Sequence, residues 1–87
     1  MKRIVCNVNL FAFQSPVYII DDNDKMEPIV SATIEELPEI IAELAHTHNI
    51  SDIKLAGCQA YAHSLADQIA TAATATYSNN NLNIEIL

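Results

Sequence analysis

Apolar and polar residues alternate along the first part of the chain, a pattern that predicts a β-strand with two different faces. This strand spans residues 3–13. One face is entirely apolar and consists of Ile4, Cys6, Val8, Leu10 and Ala12. The other face is mixed and consists of Val5, Asn7, Asn9, Phe11 and Phe13. The strand therefore has one side suited to a hydrophobic core and one side suited to water or to another molecule.

Two shorter strands are predicted directly after the first one. Gln14-Ser15-Pro16 has the composition of a turn, and β-branched and aromatic residues then favour a strand at 17–20. An acidic turn at 21–24 ends it, and a third strand is predicted at 29–32. Pro28 at its start indicates a sheet edge, because proline has no N–H to donate to a neighbouring strand.

Two later segments have the apolar spacing of helices. Thr33 and Glu36 have the spacing of a capping box, in which the Thr33 hydroxyl accepts the N–H of residue 36 and the Glu36 carboxylate accepts the N–H of residue 33. The first helix follows, with an irregular start at Pro38 and an end near His48-Asn49. The second helix is predicted at 58–77.

The last two strands complete an α/β fold. At 52–56, the apolar residues Ile53, Leu55 and Ala56 indicate a buried parallel strand, and residues 82–86 alternate as a fifth strand. The order β-β-β-α-β-α-β predicts a five-stranded mixed sheet with right-handed β-α-β crossovers and both helices on one face. We expect residues 1–87 to form a single domain.

The charge is strongly negative and unevenly distributed. The net charge is −7, with only 4 basic residues. Proteins that bind nucleic acid or anionic membranes neutralise phosphates with clustered Lys and Arg, so we expect neither kind of ligand. The first helix carries an acidic face made of Glu35, Glu36, Glu39 and Glu43. Such a face is either a solvated surface or a surface presented to a basic protein partner.

The two cysteines follow no zinc or redox spacing, since Cys6 and Cys58 are far apart in the chain. We expect reduced thiols, a cytoplasmic location and no signal peptide, because polar residues interrupt the apolar stretch at the start. We expect no bound metal, no cofactor and no catalytic residues.

The order of elements resembles the core of the ribonuclease H-like fold, which is also the half-domain unit of actin-like ATPases. The chain is also similar in general character to small proteins of phages and their bacterial hosts. The resemblance covers nearly the whole chain and concerns element order alone.

The functional motifs of those superfamilies do not match this sequence. Ribonuclease H-like nucleases carry a metal-binding aspartate in the first strand, where this chain has Asn7 and Asn9. The fourth strand is followed by Gly57-Cys58, with no acidic residue. Residues 9–16 contain neither the aspartate nor the glycine of the actin-like phosphate loop. The resemblance therefore implies a version of the fold without catalysis.

Three functional hypotheses follow from these patterns. The first is a non-enzymatic, homo-oligomeric binding protein that associates through Val5, Asn7, Asn9, Phe11 and Phe13, or through an exposed edge strand. The second is an acidic inhibitor that occupies the basic groove of a nucleic-acid-binding enzyme. The third is a small-ligand or phosphate binder at Gly57 and Cys58, where a strand leads into a helix N-terminus.

Overall fold

A computed structural model describes residues 1–9 and 14–87 of the chain. In chain order, the elements are β1 (Arg3–Val8), β2 (Ser15–Ile20), β3 (Met26–Ala32), α1 (Leu37–His48), β4 (Asp52–Gly57), α2 (Gln59–Tyr77) and β5 (Asn83–Ile86). This order confirms the α/β fold predicted from the sequence.

The five strands form one mixed sheet in the order β3-β2-β1-β4-β5. β1 pairs antiparallel with β2 and parallel with β4. β2 and β3 are antiparallel, whereas β4 and β5 are parallel. β1 is therefore the central strand, with the antiparallel hairpin strands on one side and the strands of the second crossover on the other.

Both helices pack on the same face of the sheet, as predicted. The alternating residues Ile4, Cys6, Ile53 and Leu55 are completely buried on that face. They belong to one core cluster with side chains of both helices, namely Leu37, Ile41, Ala45, Ala62, Leu65 and Ile69. Small alanines in the helices allow close approach between helix and sheet. None of the described helices packs on the opposite face of the sheet.

β1 is shorter than the strand predicted at residues 3–13, because it ends at Val8. The Asn9 N–H leaves the strand ladder and donates to the buried Ser15 hydroxyl at 3.2 Å. Residues 10–13, which complete the predicted strand, lie outside the described residues.

The hairpin strands are longer than predicted, because each one continues through a proline that the prediction placed outside the strand. Pro16, predicted in a turn, lies in β2 and pairs with Ser31. The pairing of β2 with β1 ends at Val17, one residue after Pro16 in the chain. The missing N–H of Pro16 therefore costs no hydrogen bond to β1. Pro28 lies inside β3, next to a register shift that leaves Ile29 without an opposing residue. β3 is a sheet edge, as Pro28 indicated, and the irregularity is a β-bulge.

The start of α1 confirms half of the predicted capping box. The Thr33 N–H donates to the Glu36 carboxylate at 3.3 Å, as predicted. The predicted direction of the hydroxyl was wrong, because Thr33 Oγ1 donates to the same carboxylate at 2.8 Å. The backbone carbonyl of Thr33 accepts the Glu36 N–H instead, in a turn that precedes the helix. Pro38 lies in the first turn, where its missing N–H has no helical partner to lose.

The ends of both helices carry residues in the left-handed conformation. Asn49 has φ 53° and ends α1, as predicted, and Ser78 has φ 52° and ends α2. The imidazole of His46 stacks on the ring of Tyr77 with 4.3 Å between centroids. This stacking fixes the carboxyl ends of the two helices against each other.

Candidate functional site: two opposite surfaces of the sheet

The uncovered face of the sheet, here called the open face, carries a row of side chains that crosses all five strands. Pairing of neighbouring strands places Pro28, Tyr18, Val5, Lys54 and Glu85 side by side in that order. Pro28 is exposed, and Tyr18 and Val5 are half-buried although neither α1 nor α2, the two described helices, lies over them. The half of this row on β3, β2 and β1 is therefore an apolar surface in contact with solvent.

A second row lies beside the first, and its polar part begins one strand earlier, at Arg3 of β1. It runs through Met26, Ile20, Arg3, Asp52 and Asn83. Met26 is 52% exposed at the edge of the sheet, and Ile20 is half-buried. The open face thus combines an apolar half on the hairpin side with a polar half on the side of β4 and β5.

Arg3, Lys54 and Glu85 on the open face have charged partners within the chain, whereas Asp52 accepts a hydrogen bond from a neutral amide. Lys54 Nζ lies 3.1 Å from a Glu85 carboxylate oxygen, and Arg3 contacts Asp24 at 3.0 Å. The Asn83 amide donates to Asp52 at 3.3 Å. The polar half therefore presents mainly paired charges, which repel a second surface less than isolated ones do.

The opposite surface, here called the helical face, consists of residues 33–48 and 58–77. It carries no Lys or Arg and has five of the 11 acidic residues: Glu35, Glu36, Glu39, Glu43 and Asp67. All five are exposed. The four basic residues all lie in or beside the strands, at positions 2, 3, 25 and 54. The protein is thus electrostatically polarised, with its helical face the more negative side.

An open groove of about 510 Å³ runs between α1 and α2 on the helical face. Its apolar surface comes from Pro38, Ala72 and Ala75, and its carboxylates are Glu35, Glu39 and Asp67. Glu36, predicted as part of the acidic face, is occupied by its bonds to Thr33. Glu43 lies further along α1, beside Tyr77. The acidic face predicted on one helix is therefore shared by two.

The junction between β4 and α2 is tightly packed against β1. Gly57 has φ 102°, and a Cβ at this position would lie 2.1 Å from the Val8 carbonyl oxygen. The same carbonyl accepts the Cys58 N–H at 3.3 Å. Gly57 therefore fills a structural need that a residue with a side chain would not meet.

The two thiols have different surroundings. Cys6 is fully buried in the core, and burial raises the pKa of its thiol to about 12, so it is unreactive at neutral pH. Cys58 is half-buried at the N-cap of α2, where its side chain makes no capping hydrogen bond. The proposed ligand site at Gly57 and Cys58 stays a prediction. Every buried side-chain nitrogen and oxygen atom among the described residues has a hydrogen-bond partner.

The structure places part of the predicted interface on the open face. Val5 and Asn7 lie there, half-buried and exposed respectively. Asn9 follows the end of β1 and is exposed. Phe11 and Phe13 lie outside the described residues.

Sequence reasoning did not include the residues that extend this surface beyond β1. Tyr18, Ile20 and Pro28 come from the neighbouring hairpin strands, and their alternation within those strands was the available signal. Asp67 was likewise absent from the predicted acidic face, because its distance in sequence from α1 hides its position at the same groove. Strand register places the first three residues on the open face, and packing of α1 against α2 brings Asp67 to the groove.

Within the described part of the chain, no group of three or more His, Cys, Asp or Glu side chains is arranged to hold a metal ion. None of the described helices combines the length and the apolar character needed to cross a membrane. Comparison with models of known protein families and with characterised proteins gives no match to this sequence.

Proposed function

We propose that the protein is a non-enzymatic binding protein that associates with itself through the open face. The observation that supports this is the apolar half of that face, where Pro28, Tyr18 and Val5 lie side by side and are covered by neither of the two described helices. Contiguous exposed apolar surface is uncommon on monomeric proteins and marks sites of association.

The distribution of charge favours contact between two open faces over contact between two helical faces. Two helical faces would each bring five carboxylates and no Lys or Arg to the contact. Two open faces would bring apolar rows together, with Lys54 and Glu85 already paired within each copy. An 87-residue domain buries a modest share of its surface, so covering this face adds stability as well.

Sedimentation velocity over a range of protein concentrations tests this proposal. The protein is expected to form an oligomer at high concentration. Tyr18→Lys places a charge in the apolar half of the open face and is expected to weaken association at least tenfold. Gln68→Lys makes the same charge change at an exposed site on the helical face and is the matched control.

Both variants make the net charge less negative, so a general change in repulsion between copies affects them equally. Association lost only in Tyr18→Lys supports the open face as the interface. A strict monomer at the highest concentration contradicts self-association. Equal association of both variants with the unchanged protein contradicts the assignment to this face.

A second candidate function is supported by the polarised charge. The helical face has the charge of a surface that occupies a basic groove, so the protein would act as an inhibitor of a nucleic-acid-binding enzyme. The groove between α1 and α2, with Glu35, Glu39 and Asp67, is the part of this face that would contact the basic partner.

Neutralisation of the free carboxylates tests the second function without disturbing the helix start. The triple variant Glu35→Gln, Glu39→Gln and Glu43→Gln leaves the bonds of Glu36 to Thr33 intact. Capture of a nucleic-acid-binding enzyme from a host lysate should decline with rising salt and fail with the triple variant. Inhibition of that enzyme by the unchanged protein must accompany capture. Binding that ignores salt and the variant contradicts this function.

The resemblance to ribonuclease H-like proteins belongs to the same proposal. Its support is the element order, with Asn7 exposed on the central strand where a nuclease of that fold has an aspartate. A neutral amide is a poor ligand for Mg²⁺ compared with a carboxylate, which supports a role in binding without catalysis. A cytoplasmic location and an association with phages are parts of the proposal as well.

A further inference from the structure

The two edges of the sheet differ in their capacity to pair with another strand. The β3 edge contains Pro28, which has no N–H, and a bulge at Ile29. It also carries the charge of Glu27, which is exposed. Proline, bulges and charged residues are the features by which natural edges avoid pairing. The β3 edge is therefore protected.

The β5 edge lacks the proline and the bulge, and its one charged residue, Glu85, is paired with Lys54 of the same chain. Its residues 83–86 contain no proline, and its register with β4 is regular. The N–H groups of Asn83 and Leu87 donate inward to the carbonyls of Ser51 and Leu55, each at 2.8 Å. Because main-chain groups alternate in direction along a strand, the N–H and C=O groups of Ile84 and Ile86 point away from the sheet. None of the described strands pairs with that side of β5.

We propose that β5 pairs antiparallel with β5 of a second copy around a two-fold axis, which joins two sheets edge to edge. The partner strand is β5 of a second copy, because the side chains of two antiparallel β5 strands complement each other in one register. This inference rests on the self-association proposed above, but it assigns a contact at the sheet edge, separate from the open face.

The side chains of β5 select one register for this pairing. When Ile84 lies opposite Ile84 of the second copy, Asn83 lies opposite Glu85 of the second copy on the open face. An amide then faces a carboxylate, and it donates a hydrogen bond to a charged acceptor. On the other face of the sheet, Leu82 lies opposite Ile86 of the second copy, which continues the apolar row over the seam.

The neighbouring register is disfavoured by charge. A shift that places Ile84 opposite Ile86 of the second copy also places Glu85 opposite Glu85. Like charges directly opposite each other in adjacent strands are destabilising. A shift by one residue instead brings inward-pointing main-chain groups opposite outward-pointing ones and forms no ladder. The shift in the opposite direction places Asn83 opposite Asn83 of the second copy and leaves that as the one pair formed between residues of the two β5 strands. The register around Ile84 avoids like charges and pairs more of β5 than this alternative.

Disulfide trapping tests the register directly. Asn83 and Glu85 of opposite copies would form a non-hydrogen-bonded pair with Cα atoms ~4.5 Å apart, within the range of a disulfide. The double variant Asn83→Cys with Glu85→Cys is made in a Cys58→Ser background, which removes the half-buried native thiol. Cys6 stays in place because it is fully buried. Each single variant in the same background is a matched control.

Mild oxidation is expected to convert most of the double variant to a covalent dimer, which a reducing gel returns to monomer. The single variants should crosslink at least tenfold less, because identical residues lie diagonally across the seam at about 7–8 Å. Circular dichroism confirms that each variant is folded. Sedimentation of the unchanged protein is measured in parallel.

Efficient crosslinking of the double variant alone supports the edge pairing. Equal crosslinking in a single variant overturns the register, since random collision or another alignment would explain it. If the unchanged protein associates but the double variant does not crosslink, the edge inference is wrong and self-association stands. If the unchanged protein is a strict monomer, both proposals are wrong.

Discussion

The two faces of the central strand have opposite roles, although their residues alternate along the same six positions. Ile4 and Cys6 face the helices and are fully buried. Val5 and Asn7 face the other way, half-buried and exposed. The helix-facing side contributes the core on which folding depends, since buried apolar area is the main favourable term in folding. The open face carries the side chains through which we propose that the protein associates.

The same comparison holds for charge. The helical face has five carboxylates and no Lys or Arg, whereas all four basic residues accompany the strands. Charged residues on a solvated helix surface keep a small protein soluble, and on this helical face the Asp and Glu side chains are not accompanied by Lys or Arg. The difference in charge is the reason why the proposed association uses the sheet and not the helices.

The largest expected effect is at Gly57, which pairs with Val8 where β1 and β4 lie side by side in the sheet. Gly57→Ala brings a Cβ to 2.1 Å from the Val8 carbonyl oxygen and fixes an unfavourable positive φ. Because the obstacle is backbone, we expect a loss of about 4 kcal/mol in the free energy of unfolding. Urea unfolding measures it. A variant that retained its stability would show that the backbone of β1 and β4 can move apart around Val8 at little cost.

Neighbouring residues on opposite faces of β4 provide the next comparison. Ile53→Ala leaves a cavity in the core and should cost about 3 kcal/mol. Lys54→Ala removes a partly exposed pair with Glu85 on the open face and should cost at most about 0.5 kcal/mol. Urea unfolding of both variants at low protein concentration compares the faces without association. Similar losses at the two positions would contradict the division of roles.

Two adjacent acids on the helical face should differ as well. Glu36→Ala removes the acceptor of the Thr33 N–H and hydroxyl, and we expect a loss of about 1 kcal/mol. Glu35→Ala changes an exposed carboxylate beside the groove and should leave stability nearly unchanged. Thermal unfolding distinguishes them. Equal effects would mean that the helix start does not depend on this side chain.

The smallest expected effect concerns pH and the acidic turn between β2 and β3. The backbone N–H of Lys25, and less strongly that of Asn23, holds the pKa of the Asp21 carboxyl below its usual 3.8. A lowered folded-state pKa adds stability that is present above pH 3.8 and is lost as pH falls through the folded pKa. Asp21→Asn should flatten the decline of stability below pH 4 slightly. Urea unfolding at pH 3 and pH 6 measures the change.

Most of the secondary structure was predictable because alternation and helical spacing are local properties of the sequence. Asn49 and the end of α1 are examples, since a left-handed asparagine terminates a helix through its own backbone. The boundaries of β2 and β3 were less predictable. Pro16 and Pro28 lie inside strands because their missing N–H groups fall at a strand end and at a bulge, and only the register shows this.

The candidate surfaces were predictable in part for the same reason. Val5 and Asn7 follow from the alternation of β1, but their neighbours Tyr18 and Lys54 follow from pairing between strands. Asp67 joins Glu35 and Glu39 only when two helices pack together. Contacts between residues distant in sequence depend on register and packing, which no local pattern specifies.

The sequence by itself determined the order of strands and helices, the core-facing residues and the excess of negative charge. These features depend on the period of apolar residues and on composition. The tertiary structure alone decided which strands lie at the edges, which side chains form a row across the open face, and how closely Gly57 approaches Val8. Those outcomes depend on distances between separate segments, which exist only after the chain has packed.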